Sequence, residues 1–166
     1  AIQDFDTDAF ADKNVNPDYA APLAKRGDLC AGCASCEENR CLGCATVCET
    51  CTEVCPNRAN AAIRVEGMRQ RQIVHVDGMC NECGNCAVFC PYDSAPYRDK
   101  FTLYWSREDF DHSENQGFLR LEGYKTLVRF AGEVKEYDVS DSGCGLYDPL
   151  RRLIRAVYDN YSYLLG

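Results

Sequence analysis

The sequence is short of positive charge and nearly without histidine. Eighteen lysines and arginines stand against 26 aspartates and glutamates, a formal charge of −8, and there are two histidines. Phosphate backbones are held by clustered Lys and Arg, so this balance argues against nucleic acid as a partner. No apolar run approaches the ~20 residues that a membrane-spanning helix needs, so no membrane role is expected. The first ten residues, AIQDFDTDAF, are acidic and broken by charge, which does not suit a signal peptide, and a cytoplasmic location is the expectation. An initiator Met is missing, which fits processing or a fragment. There is no GxGxxG turn to cradle a dinucleotide phosphate. A chain of 166 residues has room for one domain, or a small domain with an appendage, and not for a full barrel.

What is abundant is cysteine: thirteen residues, about 8% of the chain, twelve of them between positions 30 and 90. Disulfides do not suit an odd count at two-residue gaps such as Cys30 to Cys33 without an export signal. Structural zinc prefers two separated CxxC pairs, whereas this chain has triplets, Cys30-Cys33-Cys36 and Cys80-Cys83-Cys86. The second triplet continues to Cys90-Pro91, giving CxxCxxCxxxCP, the run of bacterial ferredoxins in which the fourth Cys serves the other cluster. A matching run closes at Cys51, Cys55 and Pro56. Two such runs, both ending in Cys-Pro, point to iron–sulfur clusters.

Crossed ligation predicts two [4Fe–4S] sites. One takes Cys80, Cys83 and Cys86 with Cys55; the other takes Cys44, Cys48 and Cys51 with Cys90. The first gap of the second set is one residue longer than the regular run, since Ala45 stands where a Cys is expected. The resulting CxxxCxxC is also the radical S-adenosylmethionine spacing, but that chemistry needs a long barrel, and only residues 56–166 follow. Cys30, Cys33, Cys36 and Cys41 make a further set of four, which predicts a third [4Fe–4S] cluster with zinc as the alternative. Cys144 is left as a spare loop thiol, and His75 and His112 as structural or surface residues.

The expected fold class is α+β. Residues 1–29 read as an extended acidic arm, 30–100 as a two-cluster ferredoxin-like domain, and 101–166 as a small strand-and-helix appendage. Alternation at 61–65 and 72–77 predicts a hairpin, with a short helix after each Cys-Pro. Strands are expected at 101–105, 117–121, 124–130 and 134–139, with a turn at Ala131-Gly132. Leu150, Leu153, Ile154, Val157, Tyr158, Tyr161, Leu164 and Leu165 share one helical face, expected to pack on the hairpin, with Asp148-Pro149 at the helix start.

The segments CLGCATVCETCTEVCPNRANAAI at 41–63 and CNECGNCAVFCPYDSAPYRDKF at 80–101, with DFDHSENQGFL at 109–119 and YSYLLG at 161–166, resemble a particular family. They are similar to the C-terminal iron–sulfur region of proteins named as selenate reductase subunits, flavoproteins akin to the glutamate synthase small subunit. The triplet Cys30, Cys33, Cys36 has no counterpart in that resemblance and rests on spacing alone. The resemblance implies an electron-transfer module with no substrate site of its own. Its partners would be a flavoprotein reductase carrying FAD and using NAD(P)H, and a molybdenum hydroxylase-type subunit. The rival reading is a non-catalytic iron–sulfur sensor or structural protein.

Overall fold

The structure is a computed structural model that describes residues 48–68, 70–90 and 94–166. The arm at 1–29 and Cys30, Cys33, Cys36, Cys41 and Cys44 lie outside the described residues.

The expected hairpin forms: β1 (Asn60–Ile63) and β2 (Gln72–Val76) pair antiparallel, Asn60 opposite His75 and Ile63 opposite Gln72. Every residue of β2 is buried, because both faces of this strand are covered. A crossover then holds the second Cys run in a 3-10 turn (Asp77–Met79), α2 (Asn85–Val88) and α3 (Pro96–Asp99). It delivers β3 (Phe101–Tyr104) parallel to β2. A second crossover, α4 (Arg107–His112), leads to β4 (Gly117–Arg120), parallel to β3. Ser106 caps α4 by accepting from the Asp109 amide at 3.0 Å. β5 (Lys125–Phe130) and β6 (Glu133–Asp138) complete an antiparallel meander. Ala131 and Gly132 both have positive φ, 51° and 78°, as a tight two-residue hairpin turn requires.

The strands lie in the order β1-β2-β3-β4-β5-β6 in one sheet. Strands after residue 100, expected in an appendage, thus continue the sheet of the hairpin. One face carries α5 (Asp148–Asn160), whose Leu150, Leu153, Ile154 and Val157 pack with Ile63, Val74, Val76, Leu103, Phe118 and Val128. The expected stripe runs past the helix: Leu164 is buried from a 3-10 turn (Ser162–Leu164) beyond its end. Tyr147 takes the cap position and Asp148 the first turn, where it pairs with Arg151. The other face carries Tyr104, Phe110, Leu119 and Leu127 under α4, and Cys51, Ile73 and Cys86 as a separate buried cluster.

Two local differences concern the Cys-Pro ends. After Pro56 there is a turn, not a helix, with Arg58 in the left-handed region at φ 57°. On the second side the helix is led by Pro96. Trp105 lies flat against Gly78, where a β-carbon would meet its ring at 2.2 Å, and also against Gly166. Its indole N–H donates to the Leu164 carbonyl at 2.7 Å.

Candidate functional site

Two short helices bring the cysteine runs together. α1 (Thr50–Glu53) buries Cys51, α2 buries Cys86, and the two helices pack on each other over Ile73 of β2. The Glu49 carboxylate, just before α1, takes a bidentate ion pair from Arg71 just before β2. That ties the first run to the hairpin. Gly84 starts α2 at φ 81°, a left-handed conformation that costs glycine little.

Cys55, from the first run, lines one cleft with Cys80, Cys83 and Cys86, from the second. Asn57, Ala59, Asn60, His75, Glu82 and Tyr97 contribute to the same cleft. Burial raises the Cys80 thiol above its ordinary pKa, and Cys55 and Cys86 are close enough to add to the effect. On the other side, burial pushes the Cys51 thiol up to about 11; Lys100 opposes the shift, and Cys48, Cys86 and Cys90 reinforce it. Cys55 thus shares a cleft with the second run, Cys51 lies within electrostatic reach of Cys48, Cys86 and Cys90, and Cys44 lies outside the described residues. Cys144 packs against the α5 side of the sheet, away from these thiols.

Backbone amides point at two of the sulfurs. The Ala59 N–H donates to Cys55 Sγ and the Glu82 N–H to Cys80 Sγ, each at 3.3 Å. In both places a non-glycine residue has positive φ: Arg58 just before Ala59, and Glu82 itself at 51°. Such conformations are uncommon for residues with a β-carbon and gather where function holds them. Cys48 Sγ is 3.2 Å from the Thr50 hydroxyl.

A buried polar chain lies beneath the clefts. The Asn60 side-chain amide donates to the Cys51 carbonyl at 3.2 Å, and its oxygen is 3.0 Å from His75 Nδ1. Because the amide nitrogen faces a carbonyl, the oxygen must be the acceptor toward His75, so the proton sits on Nδ1. Burial pushes the imidazole down to about 4, so the ring is neutral and Nε2 is unprotonated. Lys100 is equally unexpected at 9% exposure, and its ammonium makes no ion pair among the described residues. His75 is thus structural, one of the two places the sequence left open for it, while nothing in the sequence pattern marks Lys100 as buried.

The donor set permits a test of fit. Among the described residues no three His, Cys, Asp or Glu side chains converge as ligands of a single ion must. A [4Fe–4S] group instead takes one thiolate at each of four irons, so its ligands surround a cleft. Soft thiolates without nitrogen or oxygen donors suit it, and amides directed at sulfur suit an anionic thiolate. The residues present fit such a group at Cys55, Cys80, Cys83 and Cys86. At Cys48, Cys51 and Cys90 three of the expected four are described.

Comparison with known proteins finds similarity to a curated sequence named "Putative oxidoreductase YgfK", from Escherichia coli K12 and from Escherichia coli O157:H7. Each is 40% identical over 167 aligned positions that cover 92% of this chain. The match covers 16% of the relative, so the chain spans about a sixth of the length of the curated relatives it matches. No family model matches, and no solved structure does. This chain is thus similar to one region of a much longer protein named as an oxidoreductase, which supports a redox role in general terms.

Proposed function

We propose that the chain is an iron–sulfur electron-transfer module with two [4Fe–4S] clusters bound in the crossed manner. The observation that carries this reading is the cleft that Cys55 of the first run shares with Cys80, Cys83 and Cys86 of the second. When bound, each cluster supplies a site that accepts and gives up one electron. The chain's own residues hold and tune it. Four thiols give up their protons on binding, at a cost raised by the burial of Cys51 and Cys80. The amides of Ala59 and Glu82 donate to sulfur, which favours added negative charge and raises the potential. Burial on β2 and between the short helices limits water.

Four ligands from protein leave no iron open to substrate, so the role is relay. The partners proposed are a flavin- and NAD(P)H-dependent reductase and a second redox enzyme of the molybdenum hydroxylase type, in the cytoplasm, with direction unassigned. FAD and NAD(P)H belong to the partner, and a third [4Fe–4S] cluster, or zinc, is proposed for Cys30, Cys33, Cys36 and Cys41. A sensor is the second reading, and the joining of two sites on one sheet face favours the relay, because reporting needs only one.

The test is iron and acid-labile sulfide per chain on protein purified without oxygen, with EPR of the reduced form. About eight or twelve irons, with matching sulfide and coupled signals, are expected for two or three cubanes. Zinc without sulfide, or neither metal, overturns the reading.

A further inference from the structure

We propose that Asn60 and His75 are positioning residues, a buried pair that closes the loop 51–60 and so holds Cys55 in the cleft of Cys80, Cys83 and Cys86. This inference rests on the iron–sulfur reading and adds to it the side chains, other than the thiols, that assemble the crossed site.

Cys55 belongs to the first run by sequence, yet it lines a cleft with three thiols of the second. The bonds next to it are local: the Arg58 amide donates to the Cys55 carbonyl at 3.2 Å and the Ala59 amide to its sulfur at 3.3 Å. The longer tie is Asn60. Its side-chain amide reaches back nine residues to donate to the Cys51 carbonyl at 3.2 Å. That bond joins the start of β1 to α1 and leaves Cys55 inside the closed loop. The far end of the tie is in β2, where His75 stands opposite Asn60 with Nδ1 3.0 Å from the amide oxygen. The Val76 amide donates to the Ala59 carbonyl at 2.7 Å and pins the same end of the loop.

The imidazole fixes which way the amide points. An Asn60 side chain without a donor at its oxygen is free to turn over and set that oxygen against the Cys51 carbonyl; the Nδ1 proton removes this freedom. Asn60 and His75 are 4% and 2% exposed, so neither turns to water instead. Taking away one member of a buried pair leaves the other unpaired, a cost relieved only where the chain opens to solvent. The strands are held by their ladder, so the loop is what opens, and Cys55 moves with it. Both side chains also line the cleft, so the pair is part of its wall as well as its support.

The experiment is iron content and EPR of the oxidised, loaded protein, with Cys55→Ser and Cys90→Ser as reference spectra. A four-iron cluster that loses one cysteine is left with three and converts to a three-iron cluster, which gives a signal when oxidised where the four-iron form is silent. Asn60→Leu removes both bonds and His75→Leu one, whereas His75→Asn keeps an N–H where Nδ1 stands. Both leucine variants should show the signal of Cys55→Ser with a loss of about one iron per chain, and His75→Asn should restore the wild-type state. Thr126→Val is the control: it removes a buried hydroxyl 2.8 Å from that of Tyr158, on the α5 side of the sheet. It should lower the melting temperature and leave the clusters intact. Unchanged four-iron clusters in the leucine variants, a signal matching Cys90→Ser, conversion in His75→Asn as in His75→Leu, or equal conversion in Thr126→Val each overturn the inference. Should the leucine variants fail to fold, nitrogen-15 NMR of the oxidised wild type decides: a proton on Nδ1 supports the pair, and a proton on Nε2 alone overturns it. Wild-type protein without iron and sulfide overturns the iron–sulfur reading itself, a result distinct from any of these.

Discussion

Cys55 and Cys90 each close a run; Cys55 lines the cleft of Cys80, Cys83 and Cys86, and the crossed reading gives Cys90 to the site of Cys48 and Cys51. Cys55→Ser should therefore remove or convert the cluster of the second run, and Cys90→Ser that of the first. EPR and iron content of the two variants check this, and loss of the cluster nearest in sequence would contradict it. Cys144→Ser should leave iron and the reduced spectrum unchanged, since its thiol packs against the α5 side of the sheet. Tyr158 gives a pH-dependent case. Burial pushes its phenol up to about 12, while Thr126, 2.8 Å from the hydroxyl, and Arg120 oppose the shift. The unfolded chain loses this proton near pH 10 and the folded chain only near 12, so stability present below 10 falls as pH rises between them. The loss is on the order of 3 kcal/mol. Cys51 adds a loss of the same sign in metal-free protein, so the difference between wild type and Tyr158→Phe isolates the phenol. Urea unfolding at pH 8 and pH 11 measures it; a difference independent of pH would refute the argument.

Among the elements, α5 carries the most burial, with Leu150, Leu153, Ile154 and Val157 all at 0% exposure. Leu153→Ala should cost about 2–5 kcal/mol, read as a lower denaturation midpoint with unchanged slope. That stripe was legible because Leu150, Leu153, Ile154 and Val157 recur at helical spacing. The hairpin was legible because polar and apolar residues alternate about a short link. The join between β2 and β3 was not, since parallel partners lie far apart in sequence and no local turn announces their pairing. α4 is one short turn whose main signal is Ser106, three residues before Asp109, and its apolar contact rests on Phe110 alone. The cysteine spacings predicted Cys55 beside Cys80, Cys83 and Cys86, and these four line one cleft. The burial of Lys100 and His75 escaped because it depends on elements remote in sequence. Likewise, nothing in the residue types of Arg58 and Glu82 announces a left-handed backbone.

At the scale of the whole molecule, charge is the dominant property. Each cluster of the proposed function would add −2, so two would take the formal −8 to about −12. A partner surface rich in Lys and Arg is favoured, and association with it should weaken steeply as salt is raised, since exposed charges are screened beyond about 8 Å at physiological ionic strength. Electron-transfer rates from a flavoprotein donor at 20 mM and 300 mM salt check this, and salt-independent rates would argue for apolar docking. The clusters and the sheet should also stabilise each other, because a group that binds only the folded chain shifts its unfolding. Anaerobic removal of iron by a chelator is expected to lower the melting temperature of the whole sheet. A stable metal-free sheet of unchanged melting temperature would show that the Cys elements fold independently. The chain has one tryptophan, and it rests on Gly78, two residues from Cys80. Iron–sulfur groups absorb broadly across the near-ultraviolet where indole emits, so with the proposed clusters bound this ring would be a built-in optical gauge. Its emission should be dark in loaded protein and brighten as iron leaves, reporting occupancy in real time without a label.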